Sequence, residues 1–265
     1  MYVTNIVRVK AAHPRGRGLR CGAMSDEPLG PHSRRARPAK AALSRDLIID
    51  TALGLLRTEG YEATSMRRVA QALDTGPASL YVYVANRDEL LDLMLDRAIA
   101  QVPLPEPDPA RWREQLKELM HAQARMMTED YPGLTRLALA TIPTGPGALA
   151  VSEAMVALMR AGGMSDQAAG YACDILNLYV QAQTLEIALF LERAGNSEER
   201  MYELFGEVAE RFRALSPARY PNLSAIVPML TAGDGDERFD LGLDVLINGL
   251  LATPMEGRLT IWSSP

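Results

Sequence analysis

The chain has 265 residues, of which 48% are hydrophobic and 23% are charged, a balance typical of a globular protein of one or two domains. Its two cysteines, Cys21 and Cys173, are too few for a disulfide scaffold or a cysteine-built zinc site, and we expect neither a metal nor a cofactor. The chain contains no run of about 18 apolar residues, so we expect no membrane helix. Arg8 and Lys10 interrupt the apolar core that a signal peptide needs, so we expect a cytoplasmic protein.

Charge is unevenly distributed along the chain. Residues 1–45 hold ten lysines and arginines and two acids, a net charge of +8, whereas the remaining residues sum to −13. The composition of residues 1–43, rich in Arg, Pro, Gly and Ala, predicts a disordered arm. A basic arm on an acidic body indicates a polyanionic partner, and a tail that is only solvated is the alternative. Met24 is an alternative start of translation.

Helical periodicity begins at Ser44 and no useful β-alternating run follows, so the sequence predicts an all-α fold. A first helix is expected over residues 45–58, capped by Ser44 and ended by Gly60. A second helix begins at Thr64 or Ser65, because apolar side chains follow at helical spacing. These apolar residues are Met66, Val69, Ala70 and Leu73.

A turn and two more helices complete this first unit. The sequence Asp-Thr-Gly-Pro at 74–77 predicts a turn, and its proline suits the first position of a third helix over residues 77–84. Asn86, with Glu89 three residues later, has the capping-box spacing and predicts a fourth helix to about residue 101. We therefore define one unit over residues 44–102.

Two helices joined by a short turn that contains glycine form a helix-turn-helix, although similar pairs also occur in ordinary helical cores. In the DNA-binding version the second helix enters the major groove. Outward hydroxyl and guanidinium groups can then donate hydrogen bonds to phosphates. Ala78 and Val82 can contact the methyl groups of thymine. Leu80 and Val84, four residues apart, are expected to pack inward. The candidate DNA-contact residues are Thr64, Ser65, Arg67, Arg68, Pro77, Ala78, Ser79, Tyr81, Val82, Tyr83 and Arg87.

Residues 51–100 resemble the DNA-binding domain of the tetracycline-repressor (TetR) family. The resemblance is carried by Thr-Ser-Met-Arg-Arg-Val-Ala at 64–70, Leu-Tyr-Val-Tyr-Val at 80–84 and Asn-Arg-Asp-Glu-Leu-Leu at 86–91. Asp74 departs from the glycine that is most frequent in the family. The resemblance implies a homodimer whose two heads bind an operator of two inverted half-sites, with DNA contacts made by the candidate residues.

Four prolines within residues 102–109 mark the main internal boundary, and 103–109 is a predicted linker. By resemblance, residues 110–255 form a helical effector-binding and dimerisation domain, followed by a tail at 256–265. The segment 215–235, rich in proline and glycine, is expected to be a long loop. The predicted helices of this domain span 110–129, 134–142, 147–161, 165–193, 197–214 and 236–252.

The longest of these helices is apolar on most sides, which indicates burial. Its few polar residues form one narrow stripe, a pattern typical of a ligand site, and a polar seam between helices is the alternative. For His121 we expect a solvated side chain rather than a ligand or metal contact. The candidate ligand-binding residues are Asp174, Asn177, Gln181, Thr184 and, on the helix 110–129, Gln123.

The resemblance extends more weakly to the C-terminal half and implies dimerisation through the last long helices, 168–193 and 236–252. The second of these carries an apolar stripe at i, i+4, i+7, i+8 and i+11, which we assign to the dimer interface. An intrachain core stripe is the alternative. The stripe comprises Phe239, Leu243, Leu246, Ile247 and Leu250.

These features predict a ligand-responsive regulator of transcription: a repressor that binds a palindromic operator as a homodimer and is released by a small, largely apolar molecule. A DNA-binding dimer without a small-molecule effector is one alternative. An all-α enzyme is another, although the chain lacks phosphate-loop, nucleophile-elbow and zinc-protease motifs and has three histidines.

Overall fold

The computed structural model describes residues 42–232 and 235–255, and within them the fold is all-helical, as predicted, with no strand. The rest of the predicted arm, Met24 and the tail at 256–265 lie outside the described residues. The helices are α1 (Arg45–Glu59), α2 (Met66–Ala72), α3 (Pro77–Leu80), α4 (Arg87–Ile99), α5 (Trp112–Arg125), α6 (Thr135–Ala140), α7 (Pro146–Ala161), α8 (Asp166–Arg193), α9 (Glu198–Arg213), α10 (Pro221–Leu230) and α11 (Gly235–Ala252).

The helices α1 to α4 form a small bundle, which we call the head. α1 starts after Ser44, whose hydroxyl accepts a hydrogen bond from the N–H of Leu47 at 3.1 Å. It ends at Gly60, whose φ of 87° lies in the left-handed region that glycine tolerates best. Leu80 of α3 and Met94 of α4 are fully buried in the same apolar cluster as the inner faces of α1 and α2. The predicted apolar stripes therefore form the centre of the head.

α4 connects the head to the larger half of the molecule. The Oδ1 of Asn86 caps it by accepting from the N–H of Glu89 at 2.8 Å, and the Glu89 carboxylate accepts from the N–H of Ala85 at 2.5 Å. α4 packs against α1 within the head and against α6 and α7 outside it. One cluster of buried apolar side chains runs from α1 to α11, so the two halves share a core.

The larger half is organised around α8. This helix has 28 residues, which corresponds to a length of about 42 Å, and it packs against α5, α6, α7 and α11. Its C-terminal part meets α9 in a second, smaller apolar cluster that includes Met201 and Phe205. α10 packs on α9. The α9–α10 pair therefore extends from one end of the main core.

The prediction that residues 215–235 form one long loop is wrong, because α10 lies within that segment. Pro221 occupies the start of α10, where a helix needs no N–H donor, so this proline favours the helix that it was expected to prevent. Pro228 is accommodated inside the helix. Arg238 of α11 donates to the carbonyl of Leu230 at 2.8 Å and thereby satisfies one of the free carbonyls at the end of α10.

Two helices end about four residues earlier than predicted. α3 stops at Leu80, and residues 81–83 continue as a turn. α5 stops at Arg125 and is followed by a π-helical turn at Met126–Asp130, closed by a hydrogen bond of 2.9 Å from the N–H of Tyr131 to the carbonyl of Met126.

Among the described residues, no helix combines the length and apolar character required to cross a bilayer. The same residues contain no group of three or more His, Cys, Asp or Glu side chains arranged to hold a metal ion.

Candidate DNA-recognition surface and effector cavity

The turn after α3 presents three consecutive exposed side chains. Leu80 and Val84 are 0% and 1% exposed and anchor the turn in the core, as their spacing predicted. Between them, Tyr81, Val82 and Tyr83 are 54%, 80% and 37% exposed. The N–H groups of Tyr83 and Val84 both donate to the carbonyl of Leu80, at 2.9 and 3.0 Å. These outward side chains therefore project from a hydrogen-bonded frame.

The N-terminal end of α3 is also accessible. Pro77 and Ala78 are exposed and Ser79 is half-buried. Asp74, in the turn that leads to α3, has a φ of 51°. Glycine, which is most frequent in the family at this position, adopts this left-handed conformation without strain. Asp is among the few other residues that adopt it readily. The departure at this position therefore leaves the turn intact.

The two hydroxyl residues before α2 have different roles. The Oγ of Ser65 caps α2 by accepting from the N–H of Arg68 at 3.3 Å. Thr64 is 0% exposed, and its hydroxyl donates to the carbonyl of Tyr61 at 2.7 Å. Because one hydroxyl completes the helix cap, the other is free to turn inward. The prediction that Thr64 contacts DNA is therefore wrong.

The two arginines at the start of α2 also differ. Arg67 is exposed. The half-buried Arg68 forms a bidentate ion pair with Glu59 of α1, in which Nε donates to Oε2 at 2.8 Å. The hydrogen bonds from Arg68 hold the pKa of Glu59 below its usual range, and those to Glu59 raise the pKa of Arg68. Any contact of Arg68 with DNA would compete with this pair, whereas Arg67 presents its charge to solvent.

Charged side chains fasten α4 to the rest of the head. Arg87, at the first position of α4, lies over the ring of Tyr61, with its Cζ 5.1 Å from the ring centre. Arg97 pairs with both Asp46 and Asp50 of α1, the latter at 3.1 Å. The head is thus braced at its surface as well as packed in its centre.

A cavity of about 60 Å³ lies in the larger half, among α4, α5, α6, α7 and α8. It brings together three of the five predicted ligand-binding residues, Gln123, Asn177 and Gln181, and adds Ser152 of α7. No lining residue carries a charge. The apolar walls consist of Ile99, Met127, Ala138, Pro143, Ala148 and Val151.

The other two predicted ligand-binding residues do not line this cavity. Thr184 is 1% exposed and lies directly behind the wall, where its hydroxyl donates to the carbonyl of Gln181 at 3.0 Å and lies 3.6 Å from the Sδ of Met127. Asp174 is exposed to solvent. It precedes Asn177 by almost one helical turn, which carries it past the end of the cavity.

The lining residues that sequence analysis missed come from α4, α7 and the segment between α6 and α7. Ile99 is the most informative of them, because it belongs to the head. Its apolar character and helical register identify it as buried, but only the packing of α4 on α7 shows that it faces the same space as Gln123 and Gln181.

α5 and α11 are joined by a series of polar contacts. The prediction of a solvated His121 is wrong, since its side chain is 26% exposed and its ring packs edge-on against Phe239 at 4.9 Å between ring centres. Position 121 continues the i, i+4 row of residues on α5 that faces α11. The contacts in this row are Arg113 to Asn248 at 2.5 Å, Lys117 to Asp244 at 3.1 Å and His121 to Asp240 at 2.8 Å.

The stripe assigned to the dimer interface is part of the chain's own core. Phe239, Leu243, Ile247 and Leu250 are each at most 8% exposed, and Leu246 is partly buried against the same cluster. α11 packs against α8, which supplies the apolar surface that the stripe needs. The alternative interpretation, an intrachain stripe, is the one observed for the four buried residues, and their assignment to the interface is wrong. The assignment of Leu246, which is partly exposed, stays a prediction.

A different apolar face of α8 and α11 is open to solvent. Leu241 and Val245 of α11 are 63% and 61% exposed, and Leu178 and Leu189 of α8 are 53% and 46% exposed. A groove of about 740 Å³ runs between these two helices and is lined largely by apolar side chains. We call this surface the α8–α11 face. Exposed apolar patches of this kind are typical of protein–protein interfaces.

Comparison with known proteins identifies the architecture. Residues 48–94 match the family described as bacterial regulatory proteins, tetR family, and residues 104–253 match the tetracyclin repressor-like C-terminal domain. The chain belongs to the TetR family. The head is thus the helix-turn-helix domain of a TetR family transcriptional regulator, and the larger half is the C-terminal domain of that family.

Individual TetR family proteins resemble the chain over most of its length. A regulator from Saccharopolyspora erythraea, described as an HTH-type transcriptional regulator, is 33% identical over 218 residues, covering 81% of this chain and 87% of the relative. The HTH-type transcriptional repressor DrrR1 of Streptomyces coeruleorubidus is 31% identical over 225 residues, covering 82% and 80%. The crystal structure of Streptomyces coelicolor ActR in complex with actinorhodin is 40% identical, with a TM-score of 0.74 and coverage of 82% and 99%.

Proposed function

We propose that this TetR family protein is a repressor that binds an operator of two inverted half-sites as a homodimer and is released by a small uncharged molecule. The observation that carries the proposal is the cavity, where three amide side chains meet among apolar walls beside a helix of the DNA-binding head. ActR, crystallised with actinorhodin, and the repressor DrrR1 support the two parts of the proposal, ligand binding and repression.

DNA contact is assigned to the exposed and half-exposed residues of the head. Arg67 and Arg87 suit phosphates, because their guanidinium groups lie near the starts of α2 and α4. The basic segment before the head adds attraction that does not depend on sequence. The base-facing and backbone-facing residues of the proposed surface are Ser65, Arg67, Pro77, Ala78, Ser79, Tyr81, Val82, Tyr83 and Arg87.

The lining of the cavity specifies the chemistry of the effector. Gln123, Asn177 and Gln181 offer both amide donors and carbonyl acceptors, and no lining side chain can neutralise a charge. The proposed effector is therefore a largely apolar molecule with a few hydroxyl or carbonyl groups. Drug-sized ligands fill sites of about 300–1,000 Å³, so the walls of a cavity of about 60 Å³ must separate to admit one.

Separation of the walls would act directly on the head. Ile99 of α4 forms one side of the cavity, and Ala148 and Val151 of α7 form another. A ligand that binds the expanded cavity more tightly than the contracted one shifts the protein toward an arrangement in which α4 has moved. The two heads of a dimer would then no longer match the spacing of the half-sites, and the operator would be released.

We assign dimerisation to the α8–α11 face. Two copies related by a twofold axis would bury Leu178, Leu189, Leu241 and Val245 against their counterparts. The interface would then consist of four long helices, α8 and α11 from each copy, as the resemblance to the family implied. It would be formed by the outer faces of these helices. Because the proposed partner is operator DNA, we place the protein in the cytoplasm.

The proposal is tested in two steps with the purified full-length protein. Duplexes bound from a random-sequence library at near-physiological salt should be enriched in an inverted repeat. Uncharged aromatic compounds with hydroxyl or carbonyl groups are the first probes for release of that operator. Salt-sensitive binding with no enriched sequence would contradict the proposal.

The second candidate function is a DNA-binding dimer without a small-molecule effector. It predicts an enriched operator whose complex is unaffected by any compound that the protein binds. The matched relatives are transcriptional regulators, which favours a regulator over an all-α enzyme.

A further inference from the structure

The head exposes one apolar side chain, Val82, that does not pack into the core of the protein. Val82 is 80% exposed, and among the large apolar side chains of the described residues only Ile142 is more exposed. Its two neighbours in sequence, Tyr81 and Tyr83, are also exposed. Consecutive exposed apolar residues are more informative than scattered ones, because a patch of this kind marks a contact surface.

The frame that holds Val82 is rigid. Leu80 and Val84, on either side, are completely buried, so the outward direction of position 82 is fixed by the core. The branched valine side chain has few rotamers, so it presents its methyl groups in a nearly fixed position. Little conformational entropy is then lost when the side chain meets a partner.

The chemistry of valine restricts what that partner can be. A phosphate or a polar base edge gains nothing from a side chain without a donor or acceptor, whereas the hydroxyls of Tyr81 and Tyr83 are suited to such groups. In the major groove one base presents an apolar group at its edge, and that group is the C5-methyl of thymine. We infer that Val82 reads a thymine methyl group in each half-site of the operator.

This inference rests on the proposed function, since it requires that the turn after α3 enter the major groove. It adds the identity of one base to that function. It also gives a recognition segment without charged side chains, from Pro77 to Val84, a means to distinguish sequences. Apolar contact with a methyl group discriminates thymine from the other bases without any hydrogen bond.

The test removes the C5-methyl group of thymine and the side chain of Val82, first separately and then together. The enriched operator is synthesised with each thymine of one half-site replaced in turn by deoxyuridine, which lacks only the C5-methyl. Dissociation constants are measured at fixed salt for the wild-type protein, Val82→Ala and Ile142→Ala. The Ile142→Ala protein controls for loss of an exposed branched side chain away from the turn.

At one thymine position, deoxyuridine should weaken wild-type binding about four-fold, the value of one buried methyl group. Val82→Ala should bind thymine and uracil equally at that position, while Ile142→Ala should discriminate as the wild type does. An enriched operator at which no thymine shows a Val82-dependent effect overturns this inference and leaves the proposed function standing. Failure to enrich any inverted repeat overturns both.

Discussion

Asp96 of α4 caps the N-terminus of α7, since its Oδ1 accepts a hydrogen bond from the N–H of Ala148 at 3.0 Å. The contact joins the DNA-binding head to the C-terminal domain. Asp96 lies three residues before Ile99 on α4, and both Ile99 and Ala148 line the cavity. The bond between the two halves and the wall of the proposed effector site are therefore parts of the same helix contact.

Replacing Asp96 should affect both stability and regulation. Asp96→Ala removes a side-chain cap from a helix N-terminus, a loss of about 1 kcal/mol in the free energy of unfolding. Asp96→Asn retains an acceptor oxygen and should lose less. Urea unfolding gives the stability, and the effector concentration for half-maximal release of the operator gives the coupling. Equal stabilities of Asp96→Ala and the wild type would contradict the capping role.

The closeness of α4 and α7 gives a second prediction. A Cβ added at Gly147 would lie 2.5 Å from the backbone carbonyl oxygen of Asp96, a distance that only movement of a helix can relieve. Gly147→Ala should therefore destabilise the protein by about 1–3 kcal/mol. Gly206 lies in α9 with no heavy atom within 4 Å of an added Cβ.

The matched control, Gly206→Ala, should stabilise the protein by up to about 1 kcal/mol, because alanine favours the helix. Thermal or urea unfolding of the two variants, side by side, tests the contact. If both substitutions changed the free energy of unfolding in the same direction, α4 and α7 would not be in close contact in solution.

The cavity residues should control release without controlling DNA binding. Gln181→Leu keeps the size of the side chain and removes its hydrogen bonds to the effector, so half-maximal release should need about five times more effector. Operator affinity without effector should stay unchanged. Asp174→Asn, on the same helix but outside the cavity, is the control and should respond as the wild type does.

The α8–α11 face should be required for the dimer. Leu241→Asp combined with Val245→Asp places charges on the exposed apolar surface and should give a folded monomer in sedimentation velocity. Operator affinity should fall by about 100-fold, because one head then binds without the other. Ile142→Asp adds a charge at an even more exposed apolar site elsewhere and should leave the dimer intact. A double variant that remains dimeric would place the interface on another surface.

The ion pair between Glu59 and Arg68 should be visible in a titration. Hydrogen bonding from Arg68 lowers the pKa of Glu59 in the folded protein, so the pair stabilises the fold above the ordinary carboxyl pKa. This stabilisation is lost as the pH falls through the lowered pKa. In Arg68→Ala the pKa of Glu59, followed by carboxyl-carbon NMR, should rise toward its ordinary range. An unchanged pKa would show that the pair does not persist in solution.

The local rules of helix formation accounted for most of the head. Caps at Ser44 and Asn86 and the inward pair Leu80 and Val84 are as predicted, because each depends on residues a few positions apart. Thr64 was placed incorrectly because either of two adjacent hydroxyl residues can cap a helix, and sequence alone does not choose between them.

The larger half was predicted less well because its features depend on packing between distant segments. An apolar stripe such as that of Phe239 and Ile247 has the same spacing whether it meets its own chain or a second copy. Asn177 and Gln181 were identified from their helix, but Ile99 and Ser152 reach the same cavity from other elements. Their meeting is a property of the tertiary fold.

The pairing of Arg97 with Asp46 and Asp50 has a geometric consequence for release. It links α1 to α4, so under the proposed mechanism a tilt of α4 about its contact at Asp96 would carry α1 with it. From Asp96 to Arg87, beside the recognition turn, α4 is about 14 Å long. A tilt of about 10° therefore displaces that end by about 2.4 Å, and opposite tilts in a dimer would change the separation of the heads by about 5 Å. That change exceeds the 3.4 Å rise of one base pair.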